Sequence, residues 1–443
     1  MNVLTLLRAR RDHRRNARCA RLQLQERQLA KFRSLAAFVA ARSPYYRDII
    51  AERHIDVHSC TPGDFPALTK SDFMANFDRI VTDPAITRRG IEEFFATSHD
   101  SLDLFRGRYL ALHTSGSSGE MGYFVFSQND WLRGLAQALR VNPLSLAKRR
   151  LGFFGATRGH FAGVTMATTC KRWPLNLLYD VATFDITRPL SEAIEGMQRF
   201  QPTILVGYAS SLAILAEKQR RGQLHIAPKY VQSSAEPIQA ADRAVIEEAF
   251  GIPLFNVYSC TEHGIMGLAK PEYDGMYLLE DDLIFELAPD FTLVTNLFNR
   301  TMPLIRYRMN DRLVPVEDAT KVLPFTKIAE VVGRAEQLPT FVNRHGELDF
   351  LPPVRMVEFR VNNVRRHQLQ RLSNDACVLR ICLASSLATS EQVVAVAEAR
   401  ERFLEMLTLK DMQNVSFRVE VRDDLLPDAK TGKFKVIVGP ESP

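Results

Sequence analysis

The chain has 443 residues, 46% of them hydrophobic and 24% charged, with a formal net charge of +6. This is ordinary globular composition, with length for two or more domains of about 100–200 residues each. No run approaches the roughly 18 apolar residues of a membrane span, so no integral membrane segment is expected. The apolar start, Met1 to Leu7, stops at Arg8. That is too short for a secretory leader, and the charges lie on the wrong side of it. Six cysteines (Cys19, Cys60, Cys170, Cys260, Cys377, Cys382) are scattered without a C-x-x-C pair. Neither a zinc site nor a disulfide framework is indicated, and a reduced, cytoplasmic protein is expected.

Much of the positive excess sits at the start, in Arg8, Arg10, Arg11, Arg14, Arg15, Arg18 and Arg21. Nucleic acid or an anionic membrane surface could bind such a helix, but a solvated helix face is the plainer reading. No aromatic residues interleave with the arginines, and no nucleic-acid module follows. Leu29, Phe32, Leu35, Ala36 and Val39 keep helical spacing, so one basic helical start is expected over 1–41. Ser43-Pro44 stops it, because a residue before proline is pushed out of the α region. Thr69 is placed to cap a short helix.

His113-Thr114-Ser115-Gly116-Ser117-Ser118-Gly119-Glu120 then separates two strand-like runs, Tyr109–Leu112 and Gly122–Phe126. Small hydroxyl and glycine residues there suit a tight loop whose backbone N–H groups and hydroxyls can hold phosphate oxygens. A flexible Ser/Gly hairpin loop is the alternative. The loop lacks the Gly-Lys-Ser/Thr ending of a P-loop. Gln128 to Ala147 reads as a helix kinked at Pro143. Leu151 to Ala156 reads as a buried strand, followed by a mixed loop and helix start holding His160, Phe161 and Gly163.

Strand and helix then alternate. Thr203–Tyr208, Tyr230–Ser233 and Leu254–Tyr258 read as strands, Ser210–Arg221 and Gln239–Phe250 as helices, the last closed by Gly251. This predicts a mainly parallel α/β sheet, with ligands beyond the carboxyl ends of its strands. Two candidate loops fall there, Ser234–Pro237 and Ser259–Gly264. From Gly275 the texture turns to short strands, suggesting a β-rich subdomain. A smaller α+β unit follows, with strands over 376–384 and 415–421 around a helix over 390–407. The expected division is a large domain over 1–332 and a small one over 333–443.

In order, these segments resemble the adenylate-forming superfamily of acyl- and aryl-CoA ligases, in its phenylacetate–CoA ligase and capsule-biosynthesis branch. Thr114-Ser115-Gly116-Ser117-Ser118-Gly119 is similar to the superfamily's phosphate loop. Ala235-Glu236-Pro237 is similar to the branch's Gly-Ala-Glu-Pro segment beside adenine. Tyr258-Ser259-Cys260-Thr261-Glu262 is similar to Tyr-Gly-x-Thr/Ser-Glu, and Arg306-Tyr307-Arg308-Met309-Asn310-Asp311 to Arg-Tyr-Arg-x-x-Asp. Gly333-Arg334 matches the segment that opens the hinge, and Gly432-Lys433 the C-terminal lysine loop. Pro44-Tyr45-Tyr46 and Leu68-Thr69-Lys70 fit the branch near its start. Three departures stand out: Ser259 in place of glycine, Gln337 in place of a second acid at the hinge, and a poor fit over Leu338 to Phe350.

The resemblance implies ATP-dependent, AMP-forming ligation of an organic acid, with magnesium, and with CoA as the default acceptor. An amine or a carrier-protein thiol could accept the acyl group instead. An adenylyltransferase that leaves AMP on its product is a rival reading, and so is a non-catalytic relative that docks a partner. The phosphate loop would hold the departing pyrophosphate. Glu262 would hold the metal, and Thr261 would donate to the α-phosphate. Tyr258 would stack on adenine, Asp311 would accept the ribose hydroxyls, and Arg334 would reach the ribose or α-phosphate. Lys433 would be the mobile cation of the transition state, with Lys430 and Lys435 as rivals. His160, Phe161, Gly163, Gly207 and Tyr208 would line the acyl pocket, with Phe153, Phe154 and Trp173 shaping it. Each has a plainer role open to it: a helix-end acid, a core tyrosine, a turn aspartate, a surface arginine, a solvated basic tail, a packed histidine.

Overall fold

The computed structural model describes residues 2–114, 121–140, 147–329, 338–384, 387–425 and 436–439. The chain divides into two compact units. The first runs through Thr114, resumes over Gly122–Thr183, and continues from Phe200 to the last residue described before the second unit, Ala329. Its centre is an eight-stranded sheet. In spatial order the strands are Lys327–Ile328, Met276–Leu278, Gly264–Ala269, Leu254–Cys260, Tyr230–Ser234, Ile204–Tyr208, Arg149–Gly155 and Tyr179–Asp185. The four strands from Arg149–Gly155 to Leu254–Cys260 are parallel, joined through helices such as Ala209–Arg220 and Ala240–Phe250. Gly251 closes the latter helix with φ +66°, a left-handed position that glycine adopts without steric cost.

The other strands of this sheet shown pairing at its Leu254–Cys260 side are antiparallel. Separate small sheets are the hairpin Tyr109–His113 with Tyr123–Ser127 and the three strands Leu283–Leu287, Thr292–Asn296 and Tyr307–Met309. The β-rich texture after Gly275 is therefore shared: Met276–Leu278 joins the large sheet, and the later strands form their own. No helix among the described residues is long and apolar enough to cross a membrane.

The basic start is two helices, not one. Val3–Asn16 ends at Ala17, and Arg21–Arg42 begins after Ala20. The break lets the halves serve different cores. Leu6 and Ala9 pack with Leu132, Leu135 and Ala136, whereas Leu24 packs with Tyr277 and Leu279, and Phe32, Leu35 and Val39 join a third cluster. Helical spacing continues across the break, so periodicity alone could not reveal it.

Part of the basic excess is also internal. The buried run Glu280-Asp281-Asp282 is met by Arg21 on Glu280, Arg140 on Asp281, and His13, Lys31 and Arg133 on Asp282. Lys31 and Arg133 each lie within 2.9 Å of an Asp282 oxygen. Burial alone would raise the Asp282 carboxyl, but these neighbours hold it well below the usual carboxylate range. Arg8, Arg11, Arg14, Arg15 and Arg18 are exposed.

The helix expected over 128–147 is shorter: Gln128–Leu135 passes into a 3-10 turn over Ala136–Arg140, and Pro143 lies outside the described residues. Thr69 caps Lys70–Ala75 by accepting from the Asp72 N–H at 3.1 Å.

The second unit combines the described residues from Leu338 onward with Phe184–Arg199. Its sheet runs Ser416–Val421, Ala376–Leu383, Val364–Arg371, Ile437–Val438, with the helix Thr389–Thr408 burying Ala399, Phe403 and Leu407 in a core with Leu379 and Ile381. A buried ion pair, Lys410 Nζ to Asp349 Oδ1 at 2.8 Å, recruits the inserted segment. Lys410 also donates to the Ile186 and Arg188 carbonyls, and Asp349 accepts from the Leu190 N–H at 2.8 Å.

Candidate functional site

Three neighbouring parallel strands end on one edge of the large sheet, with Tyr208 opposite Ser234 and Ser234 opposite Val257. Their following loops therefore emerge side by side, as the strand–helix alternation predicts. In the first loop Ala235 takes φ +66°, uncommon for a residue with a Cβ. Glu236 then turns back, and its carboxylate accepts from the Ser210 N–H at 3.1 Å and from the Ser210 hydroxyl. Ser210 lies in the first turn of Ala209–Arg220, where a negative charge is favoured by the helix dipole. Glu236 thus ties two site loops together, with Pro237 following it.

Tyr258 and Asp311, 53 residues apart, meet directly: the phenol donates to Asp311 Oδ2 at 2.8 Å. Burial, then the Asp311 charge, pushes the Tyr258 phenol up, so it stays a protonated donor. Asp311 is positioned by its own segment. Arg306 makes a forked contact with Glu286 (2.9 Å from both Nε and Nη2) and donates to the Phe65 carbonyl at 2.6 Å. Thr292 Oγ1 donates to the Asp311 carbonyl at 3.0 Å. The motifs near the chain start brace the same segment. Tyr46 donates to the Pro303 carbonyl and accepts from the Ile305 N–H, while Leu68 exchanges backbone hydrogen bonds with Arg306 and Arg308.

Thr261 and Glu262 stand at the turn between Leu254–Cys260 and Gly264–Ala269. Burial raises the Glu262 carboxyl, and the nearby Lys70 charge offsets that only in part. Lys70 is a site residue whose chemistry the sequence did not single out. Its Nζ lies 3.4 Å from Thr114 Oγ1, so it stands between Glu262 and the neck of the Ser/Gly loop. That neck is clasped: Thr114 N–H donates to the Gly122 carbonyl, and Gly122 N–H donates to Thr114 Oγ1, both at 2.9 Å. A Cβ on Gly122 would come within 3.1 Å of Lys70 Cε and 2.9 Å of the Phe124 ring. His263 is a second residue the sequence did not single out. It is fully buried, burial lowers its pKa to about 3, and neither ring nitrogen has a partner among the described residues.

Ser115 to Gly119, Arg334 and Lys433 lie outside the described residues, as do Lys430 and Lys435.

An apolar cavity of about 100 Å³ opens beside this edge, reaching Ser234, Ser259 and Cys260. Gly163 and Phe153 line it. Gly163 lets its helix approach closely, since a Cβ there would meet the Phe153 ring at 3.2 Å. His160, Phe161, Gly207 and Tyr208 are not among its lining residues. His160 Nε2 lies 2.9 Å from Ser98 Oγ, whose one proton goes to Asp103 Oδ2 at 2.6 Å. His160 must then donate to Ser98, and burial keeps the ring neutral. The ring packs on Phe94 and Phe95, and Phe161 packs on His113. Gly207 serves close packing, since a Cβ would fall 3.0 Å from the Phe154 carbonyl. Trp173 is 68% exposed.

No family model matches the chain. The protein CapK of Staphylococcus aureus is 23% identical over 335 residues, covering 70% of this chain and 68% of that protein. The indoleacetate–lysine synthetase of Pseudomonas savastanoi is 24% identical over 261 residues, 56% of this chain. That match spans 62% of the synthetase, under two thirds of its length. A solved structure of 2-hydroxyisobutyryl-CoA ligase, in complex with 2-HIB-AMP and CoA, superposes with a TM-score of 0.63. It covers 96% of this chain and 91% of that one at 16% identity. The chain resembles the adenylate-forming superfamily in sequence and carries its fold.

Proposed function

We propose that this protein is an ATP-dependent, AMP-forming ligase that activates an organic carboxylic acid and passes its acyl group to an acceptor. The observation that carries the proposal is the juxtaposition at the sheet's carboxyl edge: the Tyr258–Asp311 hydrogen bond beside the Glu262 turn, with Lys70 at the neck of the Ser/Gly loop. A carboxylate oxygen attacks the α-phosphorus of ATP, and the bond to pyrophosphate breaks. The product, acyl-AMP, carries a good leaving group for the acceptor to displace. The protein's task is to hold two anions together and neutralise charge at phosphorus.

Asp311 accepts the ribose hydroxyls, with Tyr258 fixing one of its oxygens and presenting a ring to adenine. Ala235-Glu236-Pro237 forms the other wall of the base site. Thr114 and the loop after it hold the β- and γ-phosphates, and Thr261 donates to the α-phosphate. Arg334 and Lys433 are assigned from the resemblance to the nucleotide and to the transition state, with the hinge near 333. Among the described residues no cluster of three or more His, Cys, Asp and Glu could hold a metal. A single carboxylate, Glu262, suits magnesium, which keeps several waters and binds through one or two carboxylates plus substrate phosphates. When bound there, the ion would supply charge neutralisation on the phosphates.

CoA is the acceptor we favour, in keeping with the ligase whose structure this fold matches. An amine acceptor is the second reading, supported by similarity to a protein named for joining indoleacetate to lysine. Acid-dependent ATP–pyrophosphate exchange, followed by mass spectrometry of the product with CoA or amines, tests both. A thioester supports the first, an amide the second, and an adenylylated compound that remains the end product in the presence of either acceptor contradicts both.

A further inference from the structure

We infer that the amino-terminal helix is part of the substrate pocket and that Leu6 forms its floor, setting how long an apolar acid the enzyme accepts. This rests on the ligase reading above and goes beyond it, since the resemblance places no substrate contact at the chain start. The large sheet supplies one wall. Phe153, Val206 and Gln232 sit side by side across three parallel strands, and all three line the cavity. Ser234, Ser259 and Cys260 lie at the carboxyl edge, three residues or fewer from Glu262 in the case of the last two, so the cavity opens where the carboxylate would react. Leu6, Leu135, Leu139 and Leu175 line the cavity too. Leu6, Leu135 and Leu175 cluster with Leu151 and Ile204, which lie two residues before Phe153 and Val206 on their strands, away from the carboxyl edge.

Leu6 is not a frayed terminal residue. It is 3% exposed, and it packs in one cluster with Leu132, Leu135, Cys170 and Tyr179. Further along, the helix is fastened by the buried His13–Asp282 contact at 2.9 Å, with Gln137 at 3.3 Å from the same His13 nitrogen. A terminus tied down in this way has the fixed geometry a pocket wall needs.

No described lining residue is charged; Gln232, Ser234 and Ser259 lie toward the carboxyl edge, while Tyr179 and Cys170 also line the cavity and pack in the Leu6 cluster. The ligand class is therefore a monocarboxylic acid with an uncharged, apolar tail. An apolar cavity of about 150 Å³ takes a benzene molecule, so the smaller space here, about 100 Å³, suits a short straight or branched chain and is tight for a ring. A charged tail would be stripped of water with no charged group among the described lining residues to pair with it.

The test is ATP–pyrophosphate exchange by the full chain over straight-chain and phenyl-substituted acids of increasing length. Leu6→Ala should move the optimum of kcat/KM toward acids about two or three carbons longer. Each methylene that finds the new space should gain about fourfold, from roughly 0.8 kcal/mol per buried CH₂. Leu6→Phe should move the optimum the other way. The opposed shifts cannot come from general destabilisation, and titration calorimetry with the same acids reads the preference without catalysis. An unchanged length preference in both variants, in exchange or in binding, overturns the floor assignment. Wild-type protein that exchanges with no acid but binds them with the expected Leu6-dependent preference would contradict the ligase reading and leave the floor standing. Wild-type protein that binds none of them overturns the pocket.

Discussion

Asp282 is buried and Glu262 half-buried, and their surroundings push the two carboxyls in opposite directions. Around Asp282, which is 2% exposed, Lys31, His13 and Arg133 outweigh the cost of burial and hold the group ionised. Around Glu262 burial prevails, and the Lys70 charge offsets it only in part. The first acid is completed by the chain itself and fastens the two amino-terminal helices to the rest of the first unit. The second holds its charge at a cost in the free protein, a cost that an arriving cation would remove. Acids of that second kind concentrate at functional sites.

The largest effect should come from the cation proposed to meet the transition state. Lys433→Ala should abolish acyl-AMP formation while sparing ATP binding, read by pyrophosphate release and by nucleotide titration. Normal pyrophosphate release in that variant would remove Lys433 from the chemistry. Glu262→Gln should lower exchange by about 10²–10³-fold, the usual loss when a transition-state electrostatic partner is removed. Its melting temperature should not fall, because Glu262 is not a satisfied structural ion.

Asp282→Asn should do the reverse. Breaking a buried ion pair costs about 3–5 kcal/mol, so denaturant unfolding at pH 7 should show a large loss, with exchange per folded molecule changed far less than in Glu262→Gln. The sign with pH follows from the depressed folded-state pKa of Asp282. Its contribution is complete above the unfolded carboxylate pKa and is lost only as pH falls through the lower folded value. The stability gap between wild type and Asp282→Asn should accordingly hold through mildly acid pH and close below it.

Lys70→Ala removes the charge that lowers Glu262. In the metal-free protein the Glu262 carboxyl, already raised by burial, should titrate at still higher pH in the variant, read by NMR; a titration that stays put would detach Lys70 from Glu262. The smallest effect is expected for Tyr258→Phe. Loss of one hydrogen bond is worth about 0.5–1.5 kcal/mol, so the KM for ATP should rise several-fold with little change in kcat.

The alternation from Thr203 to Tyr258 was legible because its strands are short runs closed by turn residues and separated by the helices Ala209–Arg220 and Ala240–Phe250. Val364–Arg371 was not, since Val-Arg-Arg-His-Gln-Leu-Gln-Arg lacks a strand-like apolar pattern. Pairing with Ala376–Leu383 and Ile437–Val438 makes it a strand. The attachment of Phe184–Arg199 to the second unit was equally hidden, because it rests on Asp349 and Lys410, more than 150 residues away.

The motifs around Glu262 and Asp311 were readable as segments, but their meeting was not. Tyr258 reaches Asp311 only because Tyr46, Leu68 and Glu286 hold the Arg306–Met309 stretch in place. The cavity floor was the least legible feature. Leu6 is one leucine in a short amphipathic helix, and only the tertiary packing brings it to residues near 135 and 175.

The most direct measurement is ATP–pyrophosphate exchange with a panel of apolar carboxylic acids, comparing wild type with Glu262→Gln. Exchange that needs the acid, and that collapses in the variant while its melting temperature holds, is the predicted result. Folded wild-type protein that exchanges with no acid, or a variant that exchanges at the full wild-type rate, would contradict it.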